Sequence, residues 1–187
     1  MSAPATAAQS ASLAGTWQID TAHSGVEFAV THMMISKVRG RLSDITGTLV
    51  TDGTPAGSQI EVEIGTASID THEASRDTHL RSADFFDVEK FPKITFRSKS
   101  VTAKSANEFH VTGDLTMHGV TKPIEMDVSS EGTGRDPWGG ERVGFSSTFN
   151  VDRRDFGLTW NQALEAGGVL VSNTVKVTVD AQFTRKA

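Results

Sequence analysis

The chain has 187 residues, 37% of them hydrophobic, and a formal net charge of −5 from 18 Lys+Arg against 23 Asp+Glu. A chain of this length forms one domain that buries roughly 70% of its unfolded surface and needs no covalent staple. The scattered basic residues offer no field for nucleic acid, and the absence of cysteine excludes disulfides, thiolate catalysis and Cys-based zinc sites.

The opening MSAPATAAQSASLAG has neither a basic start nor the unbroken apolar stretch of a secretory signal. Residues 1–14 are therefore expected to be a disordered tail and 15–187 the folded domain, with the cytoplasm as compartment unless a leader has been removed. No window approaches the roughly 18 apolar residues of a membrane-spanning helix.

From Thr16 onward the apolar residues alternate, the signature of strands with one buried face. TWQID and GVEFAVTHM give the first two strands, and counting by twos places Val26, Phe28, Val30, His32 and Met34 on one side, with Glu27, Ala29 and Thr31 on the other. RLSDITGTLVTD ends in the turn cluster DGTPAGS. Ile60, Val62 and Ile64 then oppose Glu61 and Glu63. The segment DTHEASRDTHLRSADFF breaks the alternation and predicts one short helix, with Asp70 or Thr71 as its cap and Glu73 in the first turn. FPKITFRSKSV resumes strand with Ile94 and Phe96. In FHVTGDLTMHGV, Phe109, Val111, Leu115 and Met117 oppose His110, Thr112, Asp114, Thr116 and His118. PIEMDVSS follows a turn, GTGRDPWGGE is a loop, GFSSTFNV has Phe145, Phe149 and Val151 in phase, and NVDRRDFGLTWNQALEAGG is irregular. NTVKVTVDAQF closes the series.

About eight amphipathic strands without a βαβ rhythm predict an all-β, antiparallel barrel or sandwich with one helical insertion. An eight-stranded barrel is near the size at which the interior is either filled by side chains or holds one small ligand. His32 in the apolar series marks a cavity mouth if its side is hollow, with Arg39 and Arg41 close after it as cations for that opening. Met33, Met34, Met117 and Met126, with ten Phe, supply an adaptable lining.

The six histidines do not pair locally. His72 and His79 would lie about 10.5 Å apart along a helix, and His110 and His118 about 27 Å apart along a strand. No GxSxG, P-loop, GxGxxG or HExxH pattern occurs, so no metal and no cofactor are called for.

The stretches DTAHSGVEFAVTHMMISKVRGRL, ASIDTHEASRDTHLRSADFFDVEKFPKITF, GDLTMHGVTKP and VGFSSTFNVDRRDFGL resemble the YceI-like family of polyisoprenoid-binding, lipocalin-like proteins, over about residues 16 to 185. The resemblance implies an extended antiparallel β-barrel whose apolar lumen holds a long lipid, without catalytic residues, and a homodimer as the form common in the family. It implies that Phe28, Val30 and His32 line the lumen, with Met34 and Val38 toward its opening. Arg76, Asp77, His79 and Leu80, with Phe85 and Phe86, would cap one end. Arg153, Asp155 and Phe156 match a structural turn in which Phe156 packs, Gly157 permits the bend and Arg153 pairs with a carboxylate. With parity, the fold also turns Phe96, Leu115, Met117, Phe145 and Phe149 inward.

Three functional readings stand on this basis. The first is binding, transport or storage of a long-chain isoprenoid, isoprenoid quinone precursor or fatty-acid-like amphiphile, with no transmembrane segment and no nucleic-acid partner. The second is an enzyme acting on such a lipid with His32 or His79 as acid or base. The third is a barrel with a solid core and a structural or interaction role.

Overall fold

The computed structural model describes residues 13–187. Ten strands and one α-helix follow one another along the chain: β1 Gly15–Ile19, β2 Gly25–His32, β3 Ser36–Leu42, β4 Ile45–Thr51, β5 Gln59–Gly65, α1 Ala74–Arg81, β6 Lys93–Ala103, β7 Glu108–Met117, β8 Val120–Arg135, β9 Glu141–Asp152 and β10 Thr174–Arg185. All pairings are antiparallel, and the sheet closes because β10 pairs with both β9 and β1.

The number of staves is eight. β1 and β2 form one wall position interrupted by a short 3-10 turn at Thr21–His23, and β10 accompanies both, through Ile19↔Phe183 and Phe28↔Val177. β3 and β4 form the next, broken at Ser43 and Asp44. β5 to β10 each supply one. The result is a closed eight-stranded meander barrel with one helix, the lipocalin-like architecture that the family resemblance implied and one of the two, barrel or sandwich, that the alternation left open. Closure leaves no long unpaired edge.

Phase is kept around the ring. On β5, Ile60, Val62 and Ile64 point inward, while Glu61 faces Arg97 and Glu63 faces Lys93 outside. Two register shifts, at Ser98/Ser100 and Ser130/Gly132, bend the long strands. The second relies on Gly132, whose φ of 108° suits glycine.

The expected tail lies outside the described residues except for Leu13 and Ala14, which belong to the fold. The Leu13 carbonyl accepts a bond from Trp17 Nε1 at 2.8 Å, and the Ala14 carbonyl one from Arg185 at 2.6 Å. Trp17 is 2% exposed, and the Arg185 guanidinium lies 4.6 Å from its ring centre. Among the described residues no helix is long and apolar enough to cross a membrane.

The helix is capped by Glu73, whose carboxylate accepts from the backbone of Ser75 and Arg76. Asp70 and Thr71 do not cap it because both are engaged elsewhere. Asp70 accepts from the His72 amide, and Thr71 donates its amide and hydroxyl to Asp77 Oδ1 at 2.9 and 2.6 Å.

Candidate functional site

The barrel is hollow. A cavity of about 700 Å³ runs through it, walled by inward side chains from every stave. Register sets three of its wall residues side by side: Val177 on β10 pairs with Phe28 on β2 and with Phe149 on β9. Phe96 and Leu115 form the matching pair on β6 and β7. Phe145 approaches Phe183 edge-on at 6.1 Å. Two close approaches hold these rings in place. A Cβ at Gly40 would stand 2.4 Å from Phe28 Cζ, and one at Gly113 would stand 2.6 Å from Phe96 Cζ, so glycine is what lets the rings lie flat against the wall.

Val30, His32 and Val38 line the cavity toward one end, together with Arg76, His79, Leu80, Phe85 and Phe86 from the helix and the turn after it. This end holds the charged groups of the lining. Arg76 donates from Nε to Thr71 Oγ1 at 2.8 Å and from Nη2 to the Thr71 carbonyl at 2.9 Å. Asp77 is 7% exposed. Burial works against its charge, yet the bonds from Thr71 and the fields of Arg81 and Arg76 outweigh it, holding the carboxyl below the usual carboxylate range. His79 Nε2 lies 2.8 Å from Asp84 Oδ2, and its ring meets Phe85 and Trp160 edge-on at 5.2 and 4.8 Å. The opposite end carries hydroxyls instead, from Thr51, Thr54, Ser58 and Ser105.

Fourteen of the sixteen candidate ligand-binding residues thus border one space: Phe28, Val30, His32 and Val38; Arg76, His79, Leu80, Phe85 and Phe86; Phe96, Leu115, Met117, Phe145 and Phe149. Two do not. Met34 is 61% exposed, because Met33 and Met34 both take left-handed backbone (φ 52° and 64°) and the turn between β2 and β3 ends the strand alternation one residue earlier. Phe156 is 2% exposed and packed in the core, outside the cavity wall. Arg39 and Arg41 also stay outside the cavity. Val38 and Leu42 face in, so the odd-numbered neighbours face out. Of the methionines, Met117 and Met126 line the space and Met33 and Met34 do not.

Arg153 departs from expectation in its partners. It is 4% exposed, lies in the cavity wall and donates to four backbone carbonyls: Ser172 at 2.9 Å, Leu158 at 2.7 Å, Trp160 at 2.8 Å and Val171 at 3.4 Å. Among the described residues no carboxylate shares a hydrogen bond with it. Burial pushes its pKa down, Asp152 pushes back, and Arg154 adds to the depression, but a guanidinium keeps its charge in such a site. Its five N–H groups staple the irregular stretch from Gly157 to Ser172 over the barrel end. That stretch contributes Leu158, Trp160, Leu170 and Val171 to the lining. Sequence reading missed these four because the segment has no periodicity; the apolar Leu158 and Trp160 two residues apart are its only signal. Gly157, with φ 75°, supplies the expected bend.

Among the described residues no group of three or more His, Cys, Asp or Glu is placed to hold a metal ion. His110 faces outward, between Asp127 at 2.9 Å and Glu125 at 3.0 Å, and the bond to Asp127 leads in raising its pKa above the ordinary imidazole value.

The YceI-like domain model matches residues 17–183. A UPF0312 protein of Vibrio cholerae is 41% identical over 148 residues, 78% of each chain, and one of Pseudomonas putida is 41% identical over 149 residues, also 78% of each. The solved structure of the Campylobacter jejuni YceI protein is similar at 28% identity and a TM-score of 0.72, covering 84% of this chain and 90% of that one. A polyisoprenoid binding domain from Saccharophagus degradans shares the fold at 16% identity and a TM-score of 0.67, covering 91% and 98%. A barrel with this sequence, this topology and this hollow interior belongs to the YceI-like family.

Proposed function

We propose that this protein is a non-enzymatic carrier or store for a single long-chain apolar molecule, a polyisoprenoid, an isoprenoid quinone precursor or a fatty-acid-like amphiphile, held lengthwise in the barrel. The observation that carries this reading is the cavity of about 700 Å³ with aliphatic and aromatic walls along its length and cationic and imidazole groups gathered at one end. A hydrocarbon tail fits the walls, and its polar head belongs beside His32, Arg76 and His79. The Saccharophagus domain with the same fold, described as polyisoprenoid binding, supports the ligand class.

Binding rather than turnover suits the lining. Its walls are aliphatic and aromatic along their length, and the His32 ring has no hydrogen-bond partner among the described residues that would orient it as an acid or base.

Each methylene removed from water contributes about 0.8 kcal/mol, close to a fourfold gain in affinity, before ordering costs. A titration with acyl or isoprenoid ligands of increasing length should show Kd falling steeply with each added unit until the cavity is full. A flat series would refute the reading.

A further inference from the structure

We propose that the β2–β3 hairpin tip docks the barrel onto an anionic lipid bilayer, so that an apolar ligand passes between bilayer and lumen without crossing water. The proposal rests on the carrier reading for its purpose but on separate residues for its contacts.

Five large hydrophobic residues are strongly exposed among the described residues, and three are consecutive: Met33 at 44%, Met34 at 61% and Ile35 at 83%. They form a tight turn in which the Ile35 amide donates to the His32 carbonyl at 3.1 Å, with left-handed backbone at both methionines. Such a turn favours Asn and Gly, which take that backbone with least strain. Hairpin formation therefore does not account for methionines here. Nor does packing account for Ile35, which is 83% exposed, although Met34 reaches toward Gly168.

The tip stands beside the cationic end of the cavity. His32, the residue before it, lines the lumen; the Met33 amide donates to the carbonyl of Leu170, another lining residue, at 2.8 Å. Behind the tip the outer surface is basic. Lys37 and Arg39 follow on β3, and Lys176 on β10 joins the row of Arg39 through Ala29. All three are exposed, and none forms an ion pair among the described residues. The acids nearest in register are Asp152, already paired with Arg154, and two that flank Arg41 one row further back: Glu27 on β2 and Asp70, which lies beside His72. A chain of net charge −5 thus presents unpaired cations behind an apolar tip. That is the order of groups in a bilayer interface, with apolar side chains in the acyl boundary and Lys/Arg at the phosphates.

The test uses the full chain with sedimented vesicles of phosphatidylcholine alone or mixed with phosphatidylglycerol. The parent protein should bind the mixed vesicles more tightly, and added salt should weaken that binding. Met34→Asp/Ile35→Asp should bind at least about tenfold more weakly, and Lys37→Glu/Arg39→Glu should lose the preference for the anionic lipid. Trp138→Asp, which removes the exposed aromatic at the far end of the barrel, should bind as the parent does. The proposal is overturned if the tip variant binds vesicles normally, if Trp138→Asp is the variant that fails, or if the parent ignores anionic vesicles while Met34→Asp/Ile35→Asp converts a dimer to a monomer. Ligand affinity of the parent protein measured in detergent separates the two readings: no vesicle binding by a parent that fills its lumen condemns docking alone, and vesicle binding by a parent with an empty lumen condemns the carrier alone.

Discussion

Val177, a lining residue flanked by two aromatic rings, gives the sharpest handle on the lumen. Val177 sits between Phe28 and Phe149 by direct register, so Val177→Trp places an indole across the path a ligand must take. The change adds about seven heavy atoms and displaces a ligand segment of about five methylenes; at ~0.8 kcal/mol each this amounts to ~4 kcal/mol, or roughly a thousandfold in Kd. The indole enters empty space rather than a packed core, so stability should stay within about 1 kcal/mol of the parent, below the usual cost of overpacking. Displacement of a fluorescent polyene probe reads the affinity, and a urea transition reads the fold. If Val177→Trp folds normally and binds a long-chain ligand as tightly as the parent, the ligand does not thread the barrel.

Three further outcomes follow from the same structure. Arg153→Ala strips donors from four carbonyls and should cost on the order of 3 kcal/mol, seen as a lowered urea midpoint; Arg153→Lys, without the planar fork, should recover only part of it. The depressed Asp77 carboxyl contributes stability that is complete above its unfolded pKa near 3.9 and is lost as pH falls below that value toward the lower folded one; Asp77→Asn should flatten the acid limb of a stability-against-pH curve, and an unchanged limb would contradict the assignment. Gly40→Ala drives a Cβ to within 2.4 Å of Phe28 and 2.8 Å of Thr71, so it should lower stability by about 1–3 kcal/mol and weaken ligand binding together.

What the sequence reveals is what period 2 encodes. Parity placed Phe28, Val30, Phe96, Leu115 and Phe149 on apolar faces, and together with the barrel implied by the family resemblance turned them inward, because a barrel with one solvated face forces alternation on every strand. It misplaced Met34, where two left-handed residues end the strand early, a backbone choice that methionine does not announce. Nearness in the chain suggested Arg39 and Arg41 for the mouth, although parity itself puts them outside; the cations at that end, Arg76 and Arg153, come from the helix and from the turn after β9. The covering segment from Gly157 to Ser172 was illegible because it is organised by one buried guanidinium reaching carbonyls up to 19 residues away, and no local pattern records such bonds. The helix cap was misread for a related reason. Asp70 and Thr71 are good caps in isolation, but Asp70 takes the His72 amide and Thr71 the Asp77 carboxylate, which leaves the cap to Glu73.

The most direct test of the hollow, ligand-bearing barrel is native mass spectrometry of the freshly expressed protein. The account predicts a non-covalent adduct of lipid mass that vanishes on denaturation, and that Val177→Trp carries at most a trace of it. The bare polypeptide mass alone, both as purified and after incubation with long-chain isoprenoids or fatty acids, would contradict it.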